Sequence, residues 1–428
     1  MSVPTRVYFD VENTLCVPFI SGIQRVVREL SRRLIGDTIS GFEFIPVVFC
    51  SHCQGWRRLS GDETERLQKL SLNDTNITDT RPYYRKLATQ LLGKRIKAAL
   101  RNMYGSYSHP SWHEENLLPI FEPGSIFLDL DASWHNELKR TTLLPALKAN
   151  GVLVATFHYD IIPILFPEMT HENTLPVFQE HLHAHLQHSD LFICISKTTE
   201  KDLQGYCQQQ FPAIKLNTTT IKLGADISND SKRIEPWPLA EKNLKYILCV
   251  GTIEPRKNYD FLLDAFDIIS SKYPDINIVI VGKEGWYSEE TVSRIQQHEL
   301  LNKRLYWLTK INDATLASLY ENAYMTIVPS LYEGFGLPVT EALQRGCVTL
   351  SSDRGALTEA GGDNVDYFNP EQLQEFTDLL ESYVHGHEVE KQKELLKNYQ
   401  APDWSNTVRE FMEILHKKFN DRSVEFIP

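Results

Sequence analysis

The chain has 428 residues, 42% hydrophobic and 23% charged, which fits folded domains and excludes wholesale disorder. Its 44 basic and 56 acidic residues leave a net charge of −12, so no nucleic-acid partner is expected. No apolar run reaches the roughly 18 residues that cross a bilayer. The first ten residues do not read as a secretory leader, and the seven cysteines keep no disulfide rhythm, so a reduced, cytoplasmic protein is expected.

In chain order, residues 6–10 form a short apolar run of strand type. A loop with Pro18 and Gly22 follows. Ile23, Val26, Val27, Leu30 and Leu34 then recur at the helical period, opposite Arg25, Arg28, Glu29, Arg32 and Arg33. Strands are predicted at 44–49, 126–130, 152–157 and 191–195, with helices at 138–150 and 173–188. Cys50 and Cys53 have metal-ligand spacing but no second pair nearby, so they read as a loop pair and no metal is assigned. Residues 81–113 carry seven basic and no acidic residues, with Leu87, Leu91, Leu92, Ile96, Leu100 and Met103 near one helical face. Such a basic amphipathic insert reads either as an anionic-membrane contact or as a solvated helix over a core edge.

A break at 226–241, with Pro236 and Pro238, reads as a linker. The alternation then restarts, with strands predicted at 246–250, 276–281, 305–308, 325–328 and 348–350. Two doubly wound α/β sheets follow, and ligands of such sheets bind beyond the carboxyl ends of the strands. Two such domains facing each other would enclose a cleft. The last helix, at 404–418, places Val408, Phe411, Met412 and Leu415 on one face and must pack on something.

The most informative stretch is Pro329-Ser330-Leu331-Tyr332-Glu333-Gly334-Phe335-Gly336-Leu337-Pro338-Val339-Thr340-Glu341. A strand ends before it, two glycines permit close approach to a ligand, and Pro338 suits the first turn of a helix. A helix start presents N–H groups to an anion. Glu333 and Glu341 are then placed to accept hydrogen bonds from hydroxyl groups.

This segment resembles the Glu-x7-Glu signature of retaining glycosyltransferases of family 4, which have the two-domain GT-B fold and use nucleotide-diphosphate sugars. Two other stretches are similar to the family's donor-side segments: Gly251-Thr252-Ile253-Glu254-Pro255-Arg256-Lys257-Asn258 and Val281-Gly282-Lys283-Glu284-Gly285-Trp286. In the N-terminal half, Ser21-Gly22-Ile23 resembles the loop whose glycine lies against the donor phosphates. Phe157-His158-Tyr159-Asp160 resembles a strand-end His-Asp motif of bacterial mannosyltransferase-like members, with Tyr159 as an extra residue between the two. Gly224-Ala225-Asp226 and Trp404 are similar to segments that close the first domain and open the returning tail.

The resemblance implies a GT-B fold. An acceptor domain is expected at 1–230 with its insert at about 81–113, a nucleotide-sugar domain at 240–403, and a helix and tail at 404–428 packing on the first domain. Arg256 and Lys257 would meet the leaving diphosphate. Glu333 would hold the donor sugar and Glu341 the ribose, with Gly22, Thr252, Gly282, Lys283, Gly334, Phe335, Gly336 and Leu337 also donor-binding. His158 is a catalytic candidate. Asp129, Asp131, Trp134 and Asp160 are acceptor-side candidates. An alternative reading makes Asp129-Leu130-Asp131 a metal-binding pair at a strand end. The expected activity is transfer of a hexose, first choice mannose from GDP-mannose, to a glycan or lipid-linked acceptor in surface-polysaccharide assembly. No metal or cofactor is expected, and the resemblance suggests a site on the inner face of the plasma membrane. A nucleotide-sugar epimerase of the same fold, or a silent sugar-binding scaffold subunit, is the alternative.

Overall fold

The computed structural model describes residues 4–16, 22–36, 38–50, 55–69, 118–227, 234, 244–385 and 388–420. The basic insert at 81–113, Cys53 and most of the predicted linker lie outside the described residues. The chain forms two compact units. One runs to Phe157 and takes back Glu180–Asp190; the other comprises His158–Gln179 and the chain from Leu191 onward.

Strands β1 (Thr5–Asp10), β2 (Phe42–Cys50), β3 (Gly55–Arg58), β4 (Ile126–Asp129), β5 (Leu153–His158), β6 (Leu191–Cys194) and β7 (Thr218–Thr220) form one sheet in the order β3-β2-β1-β4-β5-β6-β7. The β1–β2, β1–β4, β4–β5 and β6–β7 pairs are parallel, while β2–β3 is antiparallel. Tyr8, Trp56, Phe121 and Phe127 meet edge to face at 5.1–5.8 Å, the arrangement their quadrupoles favour.

Strands β8 (Tyr246–Val250), β9 (Asn277–Val281), β10 (Leu305–Leu308), β11 (Met325–Val328), β12 (Thr349–Ser352) and β13 (Asp366–Phe368) form a second sheet, wholly parallel, in the order β10-β9-β8-β11-β12-β13. Its central strands read as continuous apolar runs because both faces are covered. Ile247 and Cys249 join Ile278 and Ile280 in a core on one side, and Tyr246 and Leu248 join Val279 and Val281 on the other. The helix Tyr259–Lys272 buries Phe261, Leu262, Leu263, Ala265, Phe266 and Ile269 against the first of these cores. Each large aliphatic or aromatic side chain so buried contributes about 1.5–3 kcal/mol.

In both sheets the chain winds outward from one strand and then restarts on its other side. The reversal falls between β1 and β4 in the first sheet and between β8 and β11 in the second. A crevice opens at such a reversal, beyond the carboxyl ends of the strands. The predicted strands and helices appear at the expected places, and edge strands β3, β7 and β13 add to them.

The helix Trp404–Leu415 starts on the Asp403 side chain, which accepts from the Asn406 N–H. It seats on residues 222–226: the Trp404 N–H donates to Asp226 Oδ1 at 2.6 Å and Thr407 Oγ1 donates to the Lys222 carbonyl at 2.9 Å. A Cβ on Gly224 would stand 2.3 Å from the Trp404 nitrogen, so this docking requires glycine there.

Candidate functional site

The reversal in the second sheet brings together two strand-end loops. After β8 the chain passes Gly251 and makes a short turn at Pro255–Lys257; after β11 it reaches Ser330 and Glu333. Arg256 is the hub. Its Nη1 donates to the Tyr332 carbonyl at 2.7 Å and pairs with Glu333 Oε2 at 2.6 Å, while Nη2 pairs with Glu254 Oε1 at 2.7 Å. Lys257 Nζ pairs with the other Glu333 oxygen, which also accepts from Ser330 Oγ at 2.7 Å.

Electrostatics follow from this crowding. Burial alone would raise the Glu333 carboxyl, but Arg256 and Lys257 outweigh it and bring the group down to about 2. Burial opposes the Arg256 charge, and Glu333, Glu254 and Asp160 outweigh it, so its pKa rises. Asp160 is pushed up by burial and by Glu333 and Glu254, with Arg256 acting against them. Its Oδ1 accepts from the Ile162 N–H at 3.0 Å. Burial lowers Lys283 to about 8, and Glu254 partly offsets the effect.

Backbone packing explains several glycines. A Cβ on Gly282 would fall 1.8 Å from the Gly251 carbonyl oxygen, and one on Gly285 would fall 2.7 Å from that of Ile253. The loops after β8 and β9 therefore lie flush, with Thr252 between them. A Cβ on Gly334 would stand 2.6 Å from the Tyr159 carbonyl oxygen, and the Gly334 carbonyl accepts from Ser196 Oγ at 2.7 Å. Gly336 has φ +106° and caps the helix Leu337–Gln344, a conformation that disfavours any other residue. Phe335 and Leu337 flank it, half-buried. Glu341 is 3% exposed and accepts from the hydroxyl of Tyr320, a core residue, at 3.1 Å. His158 closes β5, buried, with its ring 6.4 Å from that of Phe192.

Asp129, at the end of β4, and Asp10, at the end of β1, mark the reversal in the first sheet. Arg140 bridges them, with Nη2 2.5 Å from Asp10 Oδ2 and Nε 2.6 Å from Asp129 Oδ2. His185 Nε2 lies 2.8 Å from the same Asp129 oxygen, and Asn136 Nδ2 donates to Asp10 at 3.1 Å. Burial opposes ionisation of Asp129, but Arg140 and His185 hold it well below the usual range. Asp131 lies beyond the strand, so the two-residue period does not fix its direction. It accepts from the Thr14 N–H at 2.6 Å and the Thr14 hydroxyl at 3.0 Å. Burial, with Asp10 nearby, raises Asp131 to about 7 and Glu12 to about 8. Trp134 lies 6.0 Å from the His181 ring, edge to face.

Among the described residues, Asp129, His181 and His185 offer three potential ligand atoms within 4.8 Å of one another. Arg140 also contacts the Asp129 oxygen that faces His185, so that oxygen is shared between a guanidinium and an imidazole. Gly22 opens the helix Gly22–Leu34 in the same unit, exposed to solvent.

The structure thus gathers Arg256, Lys257, Glu333, Gly334 and Asp160 in one place, and Asp129, Asp131 and Trp134 in another. Sequence reading assigned no role to Glu254 or Ser330, although both lie inside the quoted motifs. It also missed Asp10, Glu12, Arg140, His181 and His185, which carry no motif spacing.

Comparisons with known proteins bear on this arrangement. Residues 231–401 match the family described as Glycosyl transferases group 1. This part of the chain is therefore similar to the group 1 glycosyl transferases. The serotype-specific mannosyltransferase WbdA of Escherichia coli is 27% identical over 293 residues, covering 66% of this chain and 36% of that protein. O-antigen chain mannosyltransferase B of Escherichia coli is 28% identical over 219 residues, covering 49% of this chain and 55% of the relative. The chain thus spans about a third to a half of the length of these relatives. Among solved structures, sucrose-phosphate synthase from Thermosynechococcus elongatus has a TM-score of 0.59 at 13% identity, covering 97% of this chain and 100% of that one. Anabaena HepE in complex with UDP and glucose has a TM-score of 0.60 at 14% identity, covering 96% and 99%. The fold is GT-B, as the sequence motifs predicted. Among the described residues no helix is long and apolar enough to cross a membrane.

Proposed function

We propose that the chain is a retaining, metal-independent glycosyltransferase of family 4 that moves a hexose from a nucleotide-diphosphate sugar to a glycan or lipid-linked acceptor. The observation that carries this reading is the pair of cations, Arg256 and Lys257, held on Glu333 at the reversal in the second sheet. A departing nucleotide diphosphate gains negative charge as the bond between the anomeric carbon and the phosphate oxygen breaks. Arg256 offers a planar fork to two phosphate oxygens and Lys257 adds a point charge. The start of the helix Leu337–Gln344 adds the positive end of its dipole. These groups are pre-set, so they stabilise the developing charge with little reorganisation.

In this mechanism the diphosphate takes over the cations from Glu333, and Glu333 turns to accept hydrogen bonds from donor-sugar hydroxyls. An acceptor hydroxyl attacks from the face the diphosphate leaves. The new C–O bond forms as the old one breaks, and the acceptor's proton passes to the departing phosphate oxygen. No protein base is then needed. Glu341 holds the ribose, and Gly22, Thr252, Gly282 and Lys283 complete the donor side. Asp129, Asp131, Trp134 and Asp160 serve the acceptor, and His158 lines the reacting centre.

Mannose from GDP-mannose is the first choice, supported by the mannosyltransferases among the relatives. Peripheral attachment to anionic membrane through residues 81–113 completes the reading. Calorimetric titration with GDP, UDP and dTDP tests the donor side: wild type binds one of them, and Lys257→Met weakens that binding at least tenfold. Equal binding by wild type and Lys257→Met overturns the assignment.

A further inference from the structure

Trp286 and Tyr287, on the loop leaving β9, are the two exposed aromatic side chains among the large hydrophobic residues described, at 41% and 45% exposure. Solvent-facing rings of this size are usually mobile, but these are clamped. Trp286 Nε1 donates to the Met169 carbonyl at 2.8 Å, and the Glu172 N–H donates to the Tyr287 hydroxyl at 3.0 Å. The His171 ring lies parallel to Tyr287, 5° between planes and 6.1 Å between centroids. Tyr287 is held at φ +52°, a backbone conformation that L residues of this size rarely adopt. Immediately before these rings, Gly285 lies against Ile253–Glu254, two residues from Arg256. The loop is therefore anchored on the donor side of the site, and the two exposed rings follow that anchor directly in the chain.

The chemistry around the rings selects an occupant. Glu168, Glu172, Glu284, Glu289 and Glu290 are all exposed on the neighbouring segments. That charge repels an anionic lipid surface and a nucleic-acid backbone. Two rings of about 150–250 Å² each fall well short of the roughly 800 Å² per partner of a stable protein interface. The indole N–H donates to Met169 and the phenol oxygen accepts from Glu172, so the flat ring faces turned from His171 are what the rings offer a ligand. A flat face with carboxylates beside it suits a neutral sugar, whose C–H face stacks on the ring while its hydroxyls donate to the carboxylates.

We propose that Trp286 and Tyr287 form a platform for a neutral glycan, holding acceptor residues remote from the one that reacts. This rests on the reading of the chain as a glycosyltransferase, and the test separates the two. Binding of linear manno-oligosaccharides of two to six residues is measured by calorimetry without nucleotide, so it does not depend on turnover. Wild type is expected to bind the hexasaccharide more tightly than the disaccharide. Trp286→Ala should weaken hexasaccharide binding at least tenfold, and Trp286→Phe, which keeps a ring face, by less than threefold. In transfer assays Trp286→Ala should raise KM for the hexasaccharide more than for the disaccharide. No binding by wild type, or equal hexasaccharide binding by wild type and Trp286→Ala, overturns the platform. So does a loss that is the same at both chain lengths. Glycan binding without any sugar transfer would sustain the platform while overturning the proposed activity.

Discussion

Replacing Arg256 by Met separates a structural cation from one that serves a ligand. Arg256 contacts Glu333 at 2.6 Å and Glu254 at 2.7 Å, and its charge also acts on Asp160. Without it, Glu254 loses its pairing cation and Glu333 keeps only Lys257. Breaking a buried pair by removing one partner costs about 3–5 kcal/mol, so Arg256→Met should lower stability by that order in urea titration. Adding Glu254→Gln removes the stranded carboxylate and should restore a large part of the loss. Nucleotide affinity should behave differently. A charged hydrogen bond to phosphate is worth about 1.5–3 kcal/mol, so Arg256→Met should weaken nucleotide-diphosphate binding roughly tenfold to a hundredfold. The second substitution should not bring it back, because the missing partner is the guanidinium itself. Calorimetry on wild type, both single variants and the double variant gives the full cycle. Wild-type nucleotide affinity in the double variant would refute the reasoning and leave Arg256 a purely structural counter-ion to Glu254 and Glu333.

Arg140→Met strands Asp10 and Asp129 in the first unit, both almost wholly buried, and should cost about 3–5 kcal/mol in urea titration. Arg140→Lys should recover only part of this, because one ammonium cannot reproduce the fork. Glu12 is raised from 4.5 to about 8 in the folded protein, so the native state holds a proton that the unfolded chain releases. Its contribution therefore favours folding less and less as pH rises from about 4.5 through about 8. Glu12→Gln should flatten that part of the stability profile and gain most, relative to wild type, at pH 9. A profile unchanged between pH 5 and pH 9 would contradict the assignment.

The alternation of sheet and helix was legible because the buried strands are four- to six-residue apolar runs between turn residues. Strand order was not, since β8 meets β11 across some 80 residues and no local pattern records that choice. The edge strands escaped for a different reason. Thr218–Thr220 is half-exposed, and Gly55–Arg58 ends on two arginines, so neither shows an apolar run. Arg256, Lys257 and Glu333 were readable because their motifs are contiguous. Asp10 and Arg140 pair across 130 positions, and His185 reaches Asp129 across 56, so that network was visible only once the sheet had formed. Asp129 and Asp131 drew notice as a strand-end pair. β4 stops at Asp129, and the two carboxylates engage different partners.

The central claim is that fixed cations, without a metal, carry a sugar from a nucleotide diphosphate to an acceptor with retention. Its most direct test is NMR of the anomeric signal formed when the protein, GDP-mannose and a manno-oligosaccharide acceptor are incubated in excess EDTA. The expected result is an α-linked product that appears only with acceptor present and is reduced on the order of a hundredfold in Arg256→Met. A β-linked product, a strict requirement for Mn²⁺, or free epimerised nucleotide sugar without acceptor would contradict it.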